Sequence, residues 1–331
     1  MSALFTMRVL MITSEWPTVE HPEWAVYLVQ RVKFLRQAGI EVDIFAFRGR
    51  KHPLNYLKAW WQLRQQFKLK TFDVIDAQFG QSGLVALFSP KPVVVTFHGS
   101  DLQGFIGDNG QPTLSGRILQ MLSRLIARYA RQRVVVSEHL LAQLPASCSA
   151  HVIPCGLDFR LFHPMSREEA RTQLSLPKDK QLILFAANPH NPIKRFHLAR
   201  AAVALLPSAP QAELITVTNV PHEKMPLYMN ACDVLLVTSK HEGSPMVIKE
   251  ALACNLAIVA TDVGDIRQRI AQVKGCFVVN EDSPECIAAA LQRVLANGTR
   301  INGMETMQNL NEEILVQQMI QVYHLALEKT G

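Results

Sequence analysis

This sequence predicts an α/β fold of two doubly wound parallel sheets, and two observations carry the prediction. Short apolar runs alternate with stretches of helical spacing, and this alternation occurs twice along the chain. Between the two passes the pattern breaks into turn residues at Ile153-Pro-Cys-Gly-Leu-Asp158. The 331 residues are long for one core and comfortable for two domains of about 150 residues each.

The first pass places strands at Arg8–Thr13, Glu41–Phe47, Val74–Ala77, Val93–Phe97 and Val134–Ser137, with a helix over Val26–Gln37 closed by Ala38-Gly39. The second places strands at Leu182–Ala186, Glu213–Val217, Asp233–Val237, Ala257–Ala260 and Phe277–Val279. A last helix, about Asn311 to Lys329, carries Ile314, Leu315, Ile320, Tyr323 and Leu327 and is expected to pack back on the first domain. The expected domains are therefore 1–155, 156–310 and a terminal helix over 311–331. Ligands of such folds bind at the carboxyl ends of the strands, so two facing sheets imply a cleft.

Composition narrows the function classes. Hydrophobic residues make up 48% and charged residues 19%, which fits a globular protein and excludes wholesale disorder. No apolar run reaches the roughly 18 residues of a membrane span, and the first residues show no export signal. The expected location is cytoplasmic. Six cysteines without a CxxC pair are expected as reduced structural thiols. The net charge of +6 is uneven: residues through 160 hold 18 Lys and Arg against 11 Asp and Glu. The basic half is expected to face something anionic.

The chemistry is expected around Glu242-Gly-Ser-Pro-Met-Val-Ile-Lys-Glu250. A strand leads into a loop, and Ser244-Pro245 is expected to open a helix, with Ser244 as N-cap and Pro245 at the first helical position. A helix N-terminus at a sheet edge offers backbone N–H groups and a positive dipole to a phosphate or diphosphate. Glu242 precedes the helix and can reach sugar hydroxyls; Glu250 lies about one and a half turns inside, on a face suited to a ribose. Taken alone, two glutamates at this spacing are better explained as a solvated loop residue and a surface helix residue.

Four segments in order resemble one family. His241 through Cys254 followed by Ala257 through Asp265, Val95-Thr-Phe-His-Gly-Ser-Asp101, Val152 through Asp158 and Tyr228 through Asp233 resemble retaining family 4 glycosyltransferases with the GT-B fold and their E-x7-E motif. The resemblance spans nearly the whole chain. It implies Glu250 on the donor ribose, Glu242 on the transferred sugar, and Gly243, Ser244, Pro245, Met246 and Val247 around sugar or phosphate oxygens. It implies His98 against the donor sugar and Lys194 on the phosphates. Asn188 stands where the family places an arginine, so either Arg195 or a helix dipole is expected to take over, or the site holds phosphate more weakly. The family's Gly-Gly loop is replaced by the glycine-free Glu15–Ala25. Glu15, Ala25 and Asp101 are the expected acceptor contacts, with Ala25 filling the small-residue position. No metal and no cofactor beyond the nucleotide-diphosphate sugar itself are expected.

The acceptor class implied is a glycan or lipid-linked glycan of polysaccharide or cell-envelope synthesis. Two helices, Leu54–Lys70 with Trp60, Trp61, Leu63 and Phe67, and Arg117–Arg133 with Ile118, Leu122, Leu125 and Ile126, read either as core-facing stripes or as anionic-membrane contacts at the inner face of the cell membrane. Nucleic acid is not an expected partner. Two rivals share the architecture: a nucleotide-sugar epimerase and a non-catalytic binding protein.

Overall fold

In the computed structural model, residues 6–19, 21, 24–49, 52–104, 113–207 and 211–328 are described. The expectations for the first residues and for the Glu15–Ala25 loop fall partly outside them, at residues 1–5, 20, 22 and 23. The chain divides into two units. Trp24–Gly156, the preceding strand and the segment from Glu312 form the first, and Leu157–Asn311 forms the second.

The first unit is a six-stranded parallel sheet of β1 (Arg8–Thr13), β2 (Glu41–Ala46), β3 (Val74–Gln78), β4 (Val93–Phe97), β5 (Gln132–Val135) and β6 (His151–Val152). Its order is β2-β1-β3-β4-β5-β6. β3 and β4 are buried along their whole length because helices cover both faces; β4 reads as a nearly unbroken apolar run, while β3 buries Asp76 and Gln78 among its apolar residues. The order reverses between β1 and β3, and such a reversal opens a crevice at the carboxyl ends. β5 begins two residues earlier than its apolar pattern suggests, since Gln132 and Arg133 pair with Val94 and Val95 in register.

The terminal helix, Glu312–Leu327, belongs to this unit. Its buried face is Leu315, Val316, Met319, Val322, Tyr323 and Ala326, packed with Val9, Val74 and Val94. That corrects the expected stripe: Ile314 and Leu327 are exposed. The helix is anchored at its start by Glu312, whose carboxylate accepts the Arg31 guanidinium and the Gly156 N–H. Arg31 also donates to Pro154 O, so the ion pair ties the chain where it leaves the sheet.

The two basic helices are shorter than their sequence pattern. The first runs Pro53–Gln66 and is followed by a 3-10 turn at Leu69–Thr71. Leu63 is buried and Trp61 exposed, while Arg64 stacks on Trp60 at 3.9 Å. The second runs Leu114–Tyr129, started by Thr113, whose hydroxyl accepts the Gly116 N–H. Arg131 and Arg133 fall beyond its end because Ala130 turns the chain into β5.

The second unit is a five-stranded parallel sheet of β7 (Gln181–Phe185), β8 (Ala212–Thr216), β9 (Val234–Val237), β10 (Ala257–Thr261) and β11 (Phe277–Val279), ordered β11-β10-β9-β7-β8. The chain lays β8 beside β7, then crosses to place β9 on the other side of β7. The loops after β7 and β9 therefore leave the sheet side by side at its reversal point.

Candidate active site

That reversal point brings Lys194 and Glu242 together. Lys194 closes the short 3-10 turn Pro192–Lys194 after β7, and Glu242 lies in the loop after β9. Lys194 Nζ donates to Glu242 Oε1 at 2.5 Å, with the two side chains 30% and 15% exposed. The loops are stitched by Thr238 Oγ1 donating to Lys194 O at 2.7 Å and Lys240 N to Ile193 O at 2.8 Å. Lys194, Glu242, Val247, Thr238, Ser239 and Ala187 line one small pocket of this unit.

Arg195 is engaged within its own unit. Its Nε and Nη2 donate to Thr238 O and Ser239 O at 2.7 and 2.9 Å, and its Nη1 to Asp282 at 2.6 Å. Its fork holds the loop after β9. Asn188 is likewise local: its Oδ1 accepts the His190 N–H at 2.9 Å in an Asx turn.

The helix after this loop is Met246–Ala253, and Pro245, not Ser244, is its N-cap. Ser244 lies one residue before the cap, and its hydroxyl donates to Asp265 Oδ2 at 2.8 Å. Asp265 N in turn donates to Gly243 O at 3.1 Å. Gly264, at φ +59°, sits so close that a Cβ there would lie 2.1 Å from Gly243 O. These contacts hold the Glu242 loop against the loop after β10, leaving Met246 and Val247 at a helix start whose first N–H groups lack intrahelical acceptors.

Glu250 is buried at 6% exposure, and its Oε1 is bonded to His222 Nε2 at 2.9 Å. The sequence reading missed His222. Its imidazole packs beside Phe162, with ring centroids 5.0 Å apart. Burial alone would lower its pKa, but the Glu250 hydrogen bond and charge, helped by Glu223, outweigh burial and raise it above the usual value. A histidine 28 residues before Glu250 carries no local spacing signal, so only the fold reveals the pair.

In the first unit His98 follows β4, half-buried between Phe79 and Tyr27, at ring distances of 4.4 and 5.2 Å. Its Nε2 meets Gln78 Oε1 at 2.9 Å, and its Nδ1 lies 3.9 Å from Cys155 Sγ. Asp101, expected as an acceptor contact, faces the backbone. It is fully buried, and its carboxylate accepts the N–H groups of Gly80, His98, Gly99 and Leu102 at 2.9, 3.2, 2.9 and 3.0 Å. Gly99, at φ +128°, lets the backbone wrap around that carboxylate. The His-Gly-Ser-Asp motif is thus a backbone clamp presenting His98.

Ala25 is the N-cap of the Val26–Gln37 helix at φ 46°, a left-handed conformation normally left to glycine. Glu15 is exposed, its backbone N–H bonded to Thr13 Oγ1 at 3.2 Å. The six cysteines stand as thiols. Among the described residues no group of three His, Cys, Asp or Glu is placed to hold a metal ion, and no helix is long and apolar enough to cross a membrane.

Comparison with known proteins agrees with this frame. The sequence model described as "Glycosyltransferase Family 4" matches residues 7–161, and that described as "Glycosyl transferases group 1" matches residues 208–297. The chain is 23% identical to a putative teichuronic acid biosynthesis glycosyltransferase, TuaC, of Bacillus subtilis (strain 168), over 87% of this chain and 89% of that one. It is 23% identical over 69% of both chains to an N,N'-diacetylbacillosaminyl-diphospho-undecaprenol alpha-1,3-N-acetylgalactosaminyltransferase of Campylobacter jejuni subsp. jejuni. Among solved structures, sucrose-phosphate synthase from Thermosynechococcus elongatus superposes with a TM-score of 0.75 at 22% identity, covering 96% of this chain and 98% of that one. Anabaena Alr3699/HepE, solved with UDP and glucose, gives 0.71 at 17%, covering 95% and 98%. At these identities the likeness shows the fold, which is GT-B.

Proposed function

Since the chain is a family 4 glycosyltransferase, we propose that it moves a sugar from a nucleotide-diphosphate donor to a glycan or lipid-linked glycan of the cell envelope, with retention of configuration and without a metal ion. The observation that carries the reading is the Lys194–Glu242 pair beside the Met246–Ala253 helix start. One cation and one carboxylate there match the two ends of a sugar diphosphate. Lys194 and the N–H groups of Met246 and Val247 meet charge on the diphosphate, and Glu242 accepts from hydroxyls of the transferred sugar. Glu250 takes the ribose through the oxygen not engaged by His222. His98 meets a hydroxyl of the transferred sugar.

The chemical step follows from that placement. The bond from the anomeric carbon to the diphosphate oxygen breaks, and its electron pair leaves with the nucleoside diphosphate. The acceptor hydroxyl oxygen bonds to the same face of the carbon, and its proton passes to the departing phosphate. Positioning and charge stabilisation, rather than a strong protein base, carry such a step. The names of the TuaC and Campylobacter relatives support an envelope acceptor.

Incubation with labelled nucleotide sugars and envelope lipid extracts in EDTA tests this. Transfer to an extractable product whose new linkage keeps the donor's anomeric configuration is expected. An inverted linkage, or turnover restored only by manganese, rules the mechanism out; an epimer formed without acceptor rules out transfer.

Membrane contact is favoured by a separate observation. Leu114, Ile118, Met121, Leu125 and Tyr129 form one exposed stripe on the Leu114–Tyr129 helix, beside exposed Arg117, Arg124 and Arg128. An apolar stripe edged with arginines suits the surface of an anionic bilayer. The protein is expected to sediment with anionic liposomes at low salt, and Ile118→Glu with Leu125→Glu to abolish this. Equal sedimentation with neutral liposomes would remove the proposal.

A further inference from the structure

We infer that Gln78 is a positioning residue for His98, holding the proton on Nε2 so that the neutral ring meets its ligand as an acceptor at Nδ1. The inference starts on β3, where Asp76 and Gln78 lie two residues apart and so share one face of the sheet. Gln78 Nε2 donates to both oxygens of Asp76, at 2.9 and 2.8 Å. Tyr323, 247 residues away in sequence on the terminal helix, donates its hydroxyl to Asp76 Oδ2 at 2.8 Å. All three side chains are buried, Asp76 and Tyr323 completely.

An ionised carboxylate only accepts, so the Gln78 amide has one workable orientation: its NH2 faces Asp76 and its oxygen faces outward. Burial raises the Asp76 pKa to about 6, opposed by its bonds to Tyr323 and Gln78 and by the Arg31 charge, and the group is still mainly a carboxylate at neutral pH. The outward Gln78 Oε1 has no proton to give. At 2.9 Å it therefore receives the proton of His98 Nε2. In a neutral imidazole the other nitrogen then carries the lone pair, which here faces the Cys155 thiol at 3.9 Å, a weak donor that a ligand hydroxyl displaces. Register reinforces the contact: Gln78 pairs with Thr96 on β4, and His98 lies two residues further on the same face.

The consequence is one of specificity and rests on the proposed meeting of His98 with the donor. An acceptor at Nδ1 matches the hydrogen of a sugar hydroxyl and repels the lone pairs of a phosphoryl oxygen. Gln78, Asp76 and Tyr323 touch no substrate in this scheme; they act through His98.

Nitrogen-15 NMR of histidine-labelled protein reads the tautomer directly. The neutral His98 ring of the wild type is expected in the Nε2–H form. Gln78→Met, which keeps size but removes the fixed acceptor, is expected to populate the Nδ1–H form. It should also lower the transfer kcat about five- to tenfold, with donor KM little changed, roughly the worth of one hydrogen bond. An Nδ1–H ring in the wild type overturns the inference without any variant. An unchanged tautomer in folded Gln78→Met overturns it as well. A tautomer that shifts while transfer stays intact overturns the acceptor role of Nδ1, and is distinguishable from loss of the whole enzyme reading, in which wild type shows no transfer.

Discussion

The two units present their polar groups by opposite means. In the first, His98 is set by a buried carboxylate, Asp101, that accepts four backbone N–H groups, and by the Asp76–Gln78–Tyr323 cluster. In the second, Lys194 and Glu242 are set against one another as an ion pair, and His222 and Glu250 by a hydrogen bond that becomes ionic when His222 is protonated. Backbone clamps are stiff and indifferent to salt, whereas partly exposed ion pairs exchange partners readily and respond to pH and ionic strength. The second unit therefore has the groups suited to an ionic diphosphate, and the first the group suited to a neutral hydroxyl.

Truncating each unit's anchor should break the symmetry most. Asp101→Ala leaves four N–H groups without their acceptor and is expected to cost about 3 kcal/mol or more, read by urea unfolding. Lys194→Met, which opens a partly exposed pair, is expected to cost under about 1 kcal/mol in the same assay. Comparable losses would mean that both sites are held alike.

A smaller effect should appear in pH dependence. The His222 pKa is raised, so the folded state binds that proton more tightly than the unfolded chain does. Its contribution is full below the unfolded value of about 6.5 and is lost as pH rises through the raised folded value. Melting temperatures of the wild type across that window should fall relative to those of His222→Gln. Parallel curves would show that the His222–Glu250 bond carries no charge coupling.

Much of this was legible before the structure. Strand alternation located both sheets, and the Glu242–Glu250 segment and the Val95–Asp101 segment pointed to the loops at their carboxyl ends. What stayed hidden depended on partners distant in sequence. Ser244 reads as a helix cap, but the helix starts one residue later and the Ser244 hydroxyl donates to Asp265, and Arg195 carries no sequence signal for its bonds to the carbonyls of Thr238 and Ser239. His222 and Tyr323 sit in unremarkable helical or turn sequence, and only packing brings them to Glu250 and Asp76. Ala25 shows the converse. Its small side chain was noticed, but the left-handed backbone that makes smallness useful is a property of the fold.

The central claim is that a nucleoside diphosphate binds the second unit through Glu250 and Lys194. Calorimetric titration of the full chain with a panel of nucleoside diphosphates tests it most directly. Saturable one-to-one binding of at least one is expected, weakened about tenfold or more in Glu250→Ala and in Lys194→Met and unchanged in His98→Ala. Binding that survives both second-unit substitutions, or that is lost with His98, would contradict the account.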